Sequence, residues 1–430
     1  MTEVQAFRAF HYNLARIDLS RVIVPPYDVV APDERALYYD RDPHSAIRLE
    51  LTRDIASEAS TDYAEVARIL AEWRREGVLV RDPAPALYGL RQRFRAPGSE
   101  TLVREGFFGA LRLEEYARRI VCPHERTLAG PKADRLKILR ATRANLSSVF
   151  LLYQDRANKL AAELAGGFEQ PAFAVATDDA GIEHSLWRFD SPALHTAAQG
   201  FLRSQAVVIA DGHHRYETAL TYAAECRAEG GNQGTVQDPP WAFTLAYFAN
   251  AYAPGTLLLP IHRVIRTGPV PDAAAWRTRL LGWREETVAL GGVENLPVVL
   301  AERLAPRRGH PALAVDDGSG TLRIFSRPVR DGEISIRVIH AEVIGGVFGL
   351  GEEAVRQGAI DYPKDAQHAA RDVRAGRGAV ALYLNALSPD EVFAVTAAGE
   401  VLPQKSTFFL PKLPTGLLFR LMDSPSEAVR

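Results

Sequence analysis

Short apolar runs broken by polar turns dominate the chain, and their spacing predicts alternating strands and helices. SVFLLY (148–153) and FTLAYFANAY (243–252) are nearly unbroken apolar runs of strand length, as expected for strands covered on both faces. AVVIA (206–210) is a third such run, and FAVATD near 175 and SLWRFD near 188 are two more. Residues 86–95 and 101–113 flank Ala96-Pro97-Gly98-Ser99, a turn composition, and read as a hairpin. A further strand is expected to end near Val121. Val22–Val24 is a β-branched run stopped by Pro25-Pro26, and AIRLEL forms another apolar run ending at Leu51. Ala31-Pro32-Asp33-Glu34 has the composition of a turn entering a helix.

Helical spacing appears where Tyr63, Val66, Ala67, Leu70 and Trp73 recur, with Thr61 as the expected cap and Gly77 as the stop. From Arg215 to Arg227, Tyr216, Ala219, Leu220 and Ala223 share one face, and another helix is expected from about 337 to 347. The polar, glycine-rich stretch EGGNQGTVQDP (229–239) is the best candidate for a flexible crossing. No internal repeat or low-complexity tract interrupts the pattern. The alternation predicts an α/β (α+β) architecture.

The chain has 430 residues, enough for two or three domains, and its 47% hydrophobic and 24% charged content is that of a globular protein. Its 51 basic against 53 acidic residues argue against a dedicated nucleic-acid binder. No apolar run is long enough to predict a membrane span, and no signal peptide is evident, so a cytoplasmic protein is expected. Two cysteines, Cys122 and Cys226, make no disulfide framework. Only six of the 51 basic residues are lysines: Lys132, Lys137, Lys159, Lys364, Lys405 and Lys412. In so arginine-biased a chain each retained ammonium is a mild functional candidate, against chance survival.

The sharpest chemistry lies in ADGHHRYET (210–218), where an apolar strand ends in Asp211, turns at Gly212 and opens a helix with His213, His214 and Arg215. Free backbone N–H groups and the helix dipole at such a start suit an anion, and Arg215 can clamp phosphate in bidentate fashion. Asp211 could hold Mg²⁺ or orient a reacting hydroxyl. The bland alternative is a helix start with two exposed histidines. A transition-metal site using both is awkward, because neighbours on a helix point in different directions.

A second segment, PHERT (123–127), presents His124 and Glu125 on a loop, followed by Lys132 and Arg135. Glu125 could accept a hydroxyl proton while Lys132 and Arg135 neutralise phosphate oxygens, though a solvated charged helix face explains the basic run equally well. In a third, PQKSTFFLPKLPTG (403–416), Lys405, Ser406 and Thr407 suit a small polar ligand, while Phe408 and Phe409 suit a closing core strand. Asn250, His262 and Arg263 are candidates for lining the same cleft. Asp28 reads more readily as part of a rigid turn, and Arg48 and Glu50 equally well as an edge strand. Neither GxxxxGK[ST] nor GxGxxG is present, so neither standard glycine loop would bind phosphate here.

ADGHHRYETAL resembles the D-G-H-H-R box of the ParB/sulfiredoxin-like superfamily, whose members bind nucleotide phosphates there. The whole chain is similar to a large uncharacterised prokaryotic family that combines PPYDV, RHExT, ADGHHRYETA, LPTHR and PQKSTFFxPKxPTG. The matching stretches are PPYDV (25–29), PHERT (123–127), ADGHHRYETA (210–219), LPIHR (259–263) and PQKSTFFLPKLPTG (403–416). Pro123 stands for arginine and Ile261 for threonine.

Within the superfamily, free serine kinases carry an early His-Glu segment and a later Asp-Gly-x-His-Arg box, and this chain has the same order. The resemblance implies a ParB-like phosphate-binding core near 105–228, an N-terminal α/β segment over 1–104, and a C-terminal α/β region over 240–430 closing the cleft. It implies Glu125 as general base, with Asp211, His213, His214 and Arg215, joined by His124, Lys132 and Arg135, gripping the donor phosphate or its Mg²⁺. The expected activity is phosphorylation of free L-serine, or a similar small hydroxyl compound, by ATP, ADP or pyrophosphate. Lys405, Ser406, Thr407, His262, Arg263 and Asn250 are the expected substrate contacts. The alternatives are a ParB-like switch binding CTP or ATP, a metal-dependent phosphohydrolase, or an inactive ligand-binding protein. The expected partner is a small molecule, with room for a homodimer and none for nucleic acid or membrane.

Overall fold

A computed structural model describes residues 1–51, 62–96, 100–126, 129–229, 238–266, 268 and 270–422. The protein is a mixed α/β structure whose chain divides into two compact units. The first comprises Met1–Pro123, Thr127–Thr256 and Pro411–Arg430; the second comprises His124–Arg126 and Leu257–Leu410.

The first unit is built on a nine-stranded mixed sheet. Eight strands run in the order Val121–Pro123, Val207–Asp211, Val149–Tyr153, Phe243–Asn250, Thr101–Arg112, Leu87–Arg95, Glu183–Phe189 and Ala174–Thr177, and Val4–Gln5 also pairs with Thr101–Arg112. Val207–Asp211 lies parallel to Val121–Pro123, and Phe243–Asn250 parallel to Val149–Tyr153, while the other neighbours are antiparallel. The continuous apolar runs become the middle of this sheet because both of their faces are covered: every residue of Val149–Tyr153 and of Phe243–Asn250 is buried. Phe107 and Phe248 stack at 5.2 Å across neighbouring strands. The strands flanking 97–99 pair as the expected hairpin; the turn residues themselves, like 230–237 of the glycine-rich stretch, lie outside the described residues.

The second unit has a six-stranded antiparallel sheet in the order Arg284–Ala289, Thr321–Ser326, Ala312–Asp316, Val380–Leu384, Arg263–Ile265 and Ile360–Asp361. A separate ladder pairs Leu257–Leu259 with Phe408–Leu410, and Phe409 is buried there as expected.

Three local expectations differ from the structure. Leu19–Val22 is a helical turn capped by the Asp18 carboxylate, and Val24 makes only an isolated bridge to Thr415, because Pro25-Pro26 leaves no length for a strand. AIRLEL contains a helical turn, Ile47–Glu50, rather than an edge strand. Its alternation does not reflect two sheet faces: Arg48 bonds the Tyr39 carbonyl and Glu50 turns inward to a buried arginine. Helix Tyr63–Arg75 is capped by Asp62, whose side chain accepts from the Ala64 and Glu65 amides; Thr61 lies outside the described residues. Gly77 follows this helix at φ +70°, the left-handed conformation that stops it. The expected helix near 337–347 is present as one α turn, Ser335–Val338, followed by π-helical Ile339–Gly345.

Candidate functional site

Asp211 is the last residue of its strand, and His213 begins helix His213–Glu229. Gly212 makes the connection at φ +90°, and a Cβ there would lie 3.0 Å from Arg215 Nε. The turn therefore needs glycine both for its backbone angle and for the room that Arg215 occupies. The first amides of the helix have no intrahelical acceptor and carry the positive end of its dipole.

Cations surround Asp211. Lys412 Nζ donates to Oδ1 at 2.6 Å and Arg215 Nη2 to Oδ2 at 2.8 Å. Arg215 also bonds the Ser148 carbonyl. Burial alone would raise the Asp211 pKa, but Lys412, Arg215 and His213 outweigh it and hold the carboxyl well below its ordinary range. Arg104, fully buried in the sheet, adds to the same field. Its Nε donates to Gln92 Oε1 at 3.0 Å, its guanidinium lies 4.5 Å from the Phe150 ring centre, and its Nη1 has no hydrogen-bond partner. Burial lowers the Arg104 pKa, and Tyr247 and Asp211 oppose that shift. Three fixed cations thus answer one carboxylate. Positive side chains beside the opening of a helix are an arrangement that can take an anion.

A second cluster in this unit centres on Arg135, on helix Ala129–Thr142. Arg135 is buried; its Nη1 donates to Glu50 Oε2 at 2.6 Å, its Nε donates to Asp134 at 2.9 Å, and its guanidinium lies 4.2 Å from the Tyr27 ring centre. Burial would lower its pKa, but Glu50 and Asp134 hold it above the ordinary value. Burial pushes the Tyr27 phenol up to about 12. Glu50, Arg135, Arg215 and Thr218 line a cavity of about 50 Å³, room for a water or two. PPYDV, Glu50, Arg135 and the end of PKLPTG are therefore neighbours, since Thr415 also bridges Val24. Lys132 pairs with Glu217 at 2.9 Å rather than extending the Arg135 cluster. Asn250 is buried, and its amide bonds Asp155 and Asn158 at the end of its strand.

The second unit joins PHERT to PQKSTFF. Leu402 N–H donates to the His124 carbonyl at 2.8 Å, and Glu125 bridges Leu402 in parallel register. His124 Nε2 lies 2.6 Å from Thr407 Oγ1, and its ring meets Phe409 edge-on. Glu125 is half-buried, Lys405 is exposed at φ +56°, and Ser406 Oγ donates to the Pro403 carbonyl. His262 Nδ1 accepts from the Leu384 amide, and burial with Arg263 nearby pulls its pKa down to about 4. Arg263 is fully buried against the Ile261 carbonyl, His340 and the Tyr362 ring.

Both Asp211 oxygens are engaged by cations, and the described residues contain no group of three His, Cys, Asp or Glu side chains placed to hold a metal. This donor set does not fit a magnesium ion held by Asp211. No helix among the described residues is long and apolar enough to cross a membrane.

Sequence reading missed Arg104 and the partner of Lys412. The signal for Arg104 was a charge within the apolar strand run TLVREGFFGAL; for Lys412 it was the rarity of lysine.

Residues 4–287 match the model of a family described as a protein of unknown function, DUF1015. No curated protein matches the chain. Among solved structures, a free serine kinase variant in complex with ADP is similar at 13% identity and TM-score 0.36, over 71% of this chain and 87% of that one. A conserved hypothetical protein from Pyrococcus furiosus aligns at 13% identity and TM-score 0.34, over 72% of this chain and 93% of that one. SbnI with a C-terminal truncation, from Staphylococcus aureus, aligns at 12% identity and TM-score 0.35, over 72% of this chain and 85% of that one.

Proposed function

The chain belongs to the DUF1015 family of proteins of unknown function, and from its own residues we propose that it is a phosphotransferase acting on a small hydroxyl compound, with free L-serine the first acceptor to test. One observation carries this reading: Lys412, Arg215 and Arg104 oppose the single Asp211 carboxylate where a long helix opens. Phosphoryl transfer asks a protein mainly for positioning and charge neutralisation, and such a cradle supplies both.

In this proposal Asp211 is an anchor that fixes Lys412 and Arg215. These cations, the opening amides of the helix, and His213 and His214 hold the donor phosphates. Glu125 takes the acceptor's hydroxyl proton as the new O–P bond forms and the bond to the leaving phosphate breaks. His124, bonded to Thr407, holds the Glu125 segment in place, and Lys405 contacts the acceptor. ATP, ADP and pyrophosphate each offer a terminal phosphoryl group to the cradle.

The test incubates the protein and L-serine with each donor in buffer containing Mg²⁺, and measures phosphoserine by mass spectrometry. Phosphoserine with one donor, absent with Glu125→Gln while that donor still binds, is the expected result. Donor binding without transfer to any acceptor would replace the kinase reading with a nucleotide-binding switch.

A further inference from the structure

The second unit contains a cavity of about 570 Å³, within the size range of small-molecule sites. Its wall includes Ile344, Leu350, Val355 and Leu402 together with Arg126, Arg337 and His340. His340 and Ile344 come from the π-helical segment Ile339–Gly345, a distortion that often marks functional positions. Arg126, Arg337 and Arg356 line the cavity together with Glu352; Arg337 also bonds Glu400 and the Val401 carbonyl.

Immediately behind this wall lies Arg263. Its Nη2 meets His340 Nε2 at 3.3 Å, and its guanidinium lies 4.8 Å from the Tyr362 ring centre; both partners line the cavity. Arg263 is completely buried, forms no ion pair with a carboxylate among the described residues, and its Nε has no hydrogen-bond partner. A buried guanidinium without a counter-charge is costly. Burial and Arg263 push the His340 pKa down to about 3, so the imidazole is neutral and its Nε2 accepts from Arg263.

We propose that this cavity binds a small organic carboxylate, its acid group toward Arg126 and Arg337 and its apolar body against Ile344 and Val355. The ligand's charge would also answer the field of Arg263. This assignment is independent of the phosphotransferase reading.

Indole-3-acetate and its neutral counterpart indole-3-acetamide are suitable probes, followed by ligand-observed NMR on the full chain. The acid should bind saturably and at least about tenfold more tightly than the amide, the scale of a charge-assisted hydrogen bond. Arg126→Ala, at an exposed position, should weaken the acid and leave the amide unchanged. Val355→Trp, which fills the cavity, should abolish binding of both, with thermal unfolding checking that the variant folds. Equal binding of acid and amide, acid binding unchanged in Arg126→Ala, or no saturable binding of the acid would each overturn the proposal.

Discussion

Lys412 reaches Asp211 from 201 residues away in sequence, with Nζ 2.6 Å from Oδ1. The last lysine of the chain thereby completes a cluster begun by the DGHHR box, and ties the PKLPTG segment to the strand that ends at Asp211. Arg215 takes the other carboxylate oxygen. The pair therefore belongs to an ion network in which one carboxylate meets two cations.

This predicts a specific loss in Lys412→Met. Pyrophosphate binding, measured by calorimetry, should weaken by about tenfold or more, the scale of one charge-assisted contact. Stability should fall by only ~1–3 kcal/mol because Arg215 still holds Asp211. Lys412→Arg should recover part of the binding. Unaltered pyrophosphate affinity in Lys412→Met would remove the cluster from any phosphate site.

Glu50 and Arg135 form a more deeply buried pair, with side chains 4% and 7% exposed. Glu50→Gln leaves Arg135 with Asp134 as its one carboxylate among the described residues and should cost ~3–5 kcal/mol, the usual penalty for breaking a buried pair from one side. Urea denaturation would measure it. A loss below the resolution of that experiment would mean that water in the adjoining cavity replaces the carboxylate.

Acid should weaken the second unit through its buried histidines. His262 and His340 have pKa values pushed down to about 4 and about 3, whereas unfolded histidine titrates near about 6.5. Below that pH the unfolded chain takes up protons that the folded chain refuses, so stability falls as pH drops from about 6.5 toward about 4. Each histidine should contribute a slope of up to about 1.4 kcal/mol per pH unit. His262→Gln keeps an acceptor for the Leu384 amide and should make the dependence shallower by one proton; parallel curves for the two proteins would contradict this.

Gly255 packs where no side chain fits. A Cβ at this position would overlap the Val103 carbonyl and crowd the Arg104 amide. Gly255→Ala should therefore destabilise by about 1–3 kcal/mol or more through backbone displacement. The displacement should also shift Arg104, so pyrophosphate binding is expected to fall beyond what the stability loss explains. Differential scanning calorimetry alongside the binding assay separates these effects.

Much of the first unit was legible as pattern. VFLLY and FTLAYFAN read as covered strands from their near-continuous apolar composition, and every position of both is buried. Asp211-Gly212 announced the turn into the long helix, and Gly77 the stop of another. Where spacing was short, pattern misled: the alternation in AIRLEL is equally compatible with a single helical turn, and the burial of Glu50 decided between them. Of the candidate site residues, Asp211, Arg215 and Glu125 were singled out by residue type and neighbours. Arg135 was expected to face phosphate, yet its guanidinium is occupied by Glu50 and Asp134.

The sequence by itself determined the alternation of strands and helices, the near-neutral charge and the segments rich in phosphate-compatible chemistry. These follow from local periodicity and composition, which short stretches carry on their own. Only the tertiary structure decided which charge answers which: Lys412 with Asp211, Glu50 with Arg135, Thr407 with His124, and Arg263 with no carboxylate among the described residues. A charged side chain's nearest partner is set by where distant strands bring the backbone, and the energy of leaving it unpaired is felt only once water is excluded.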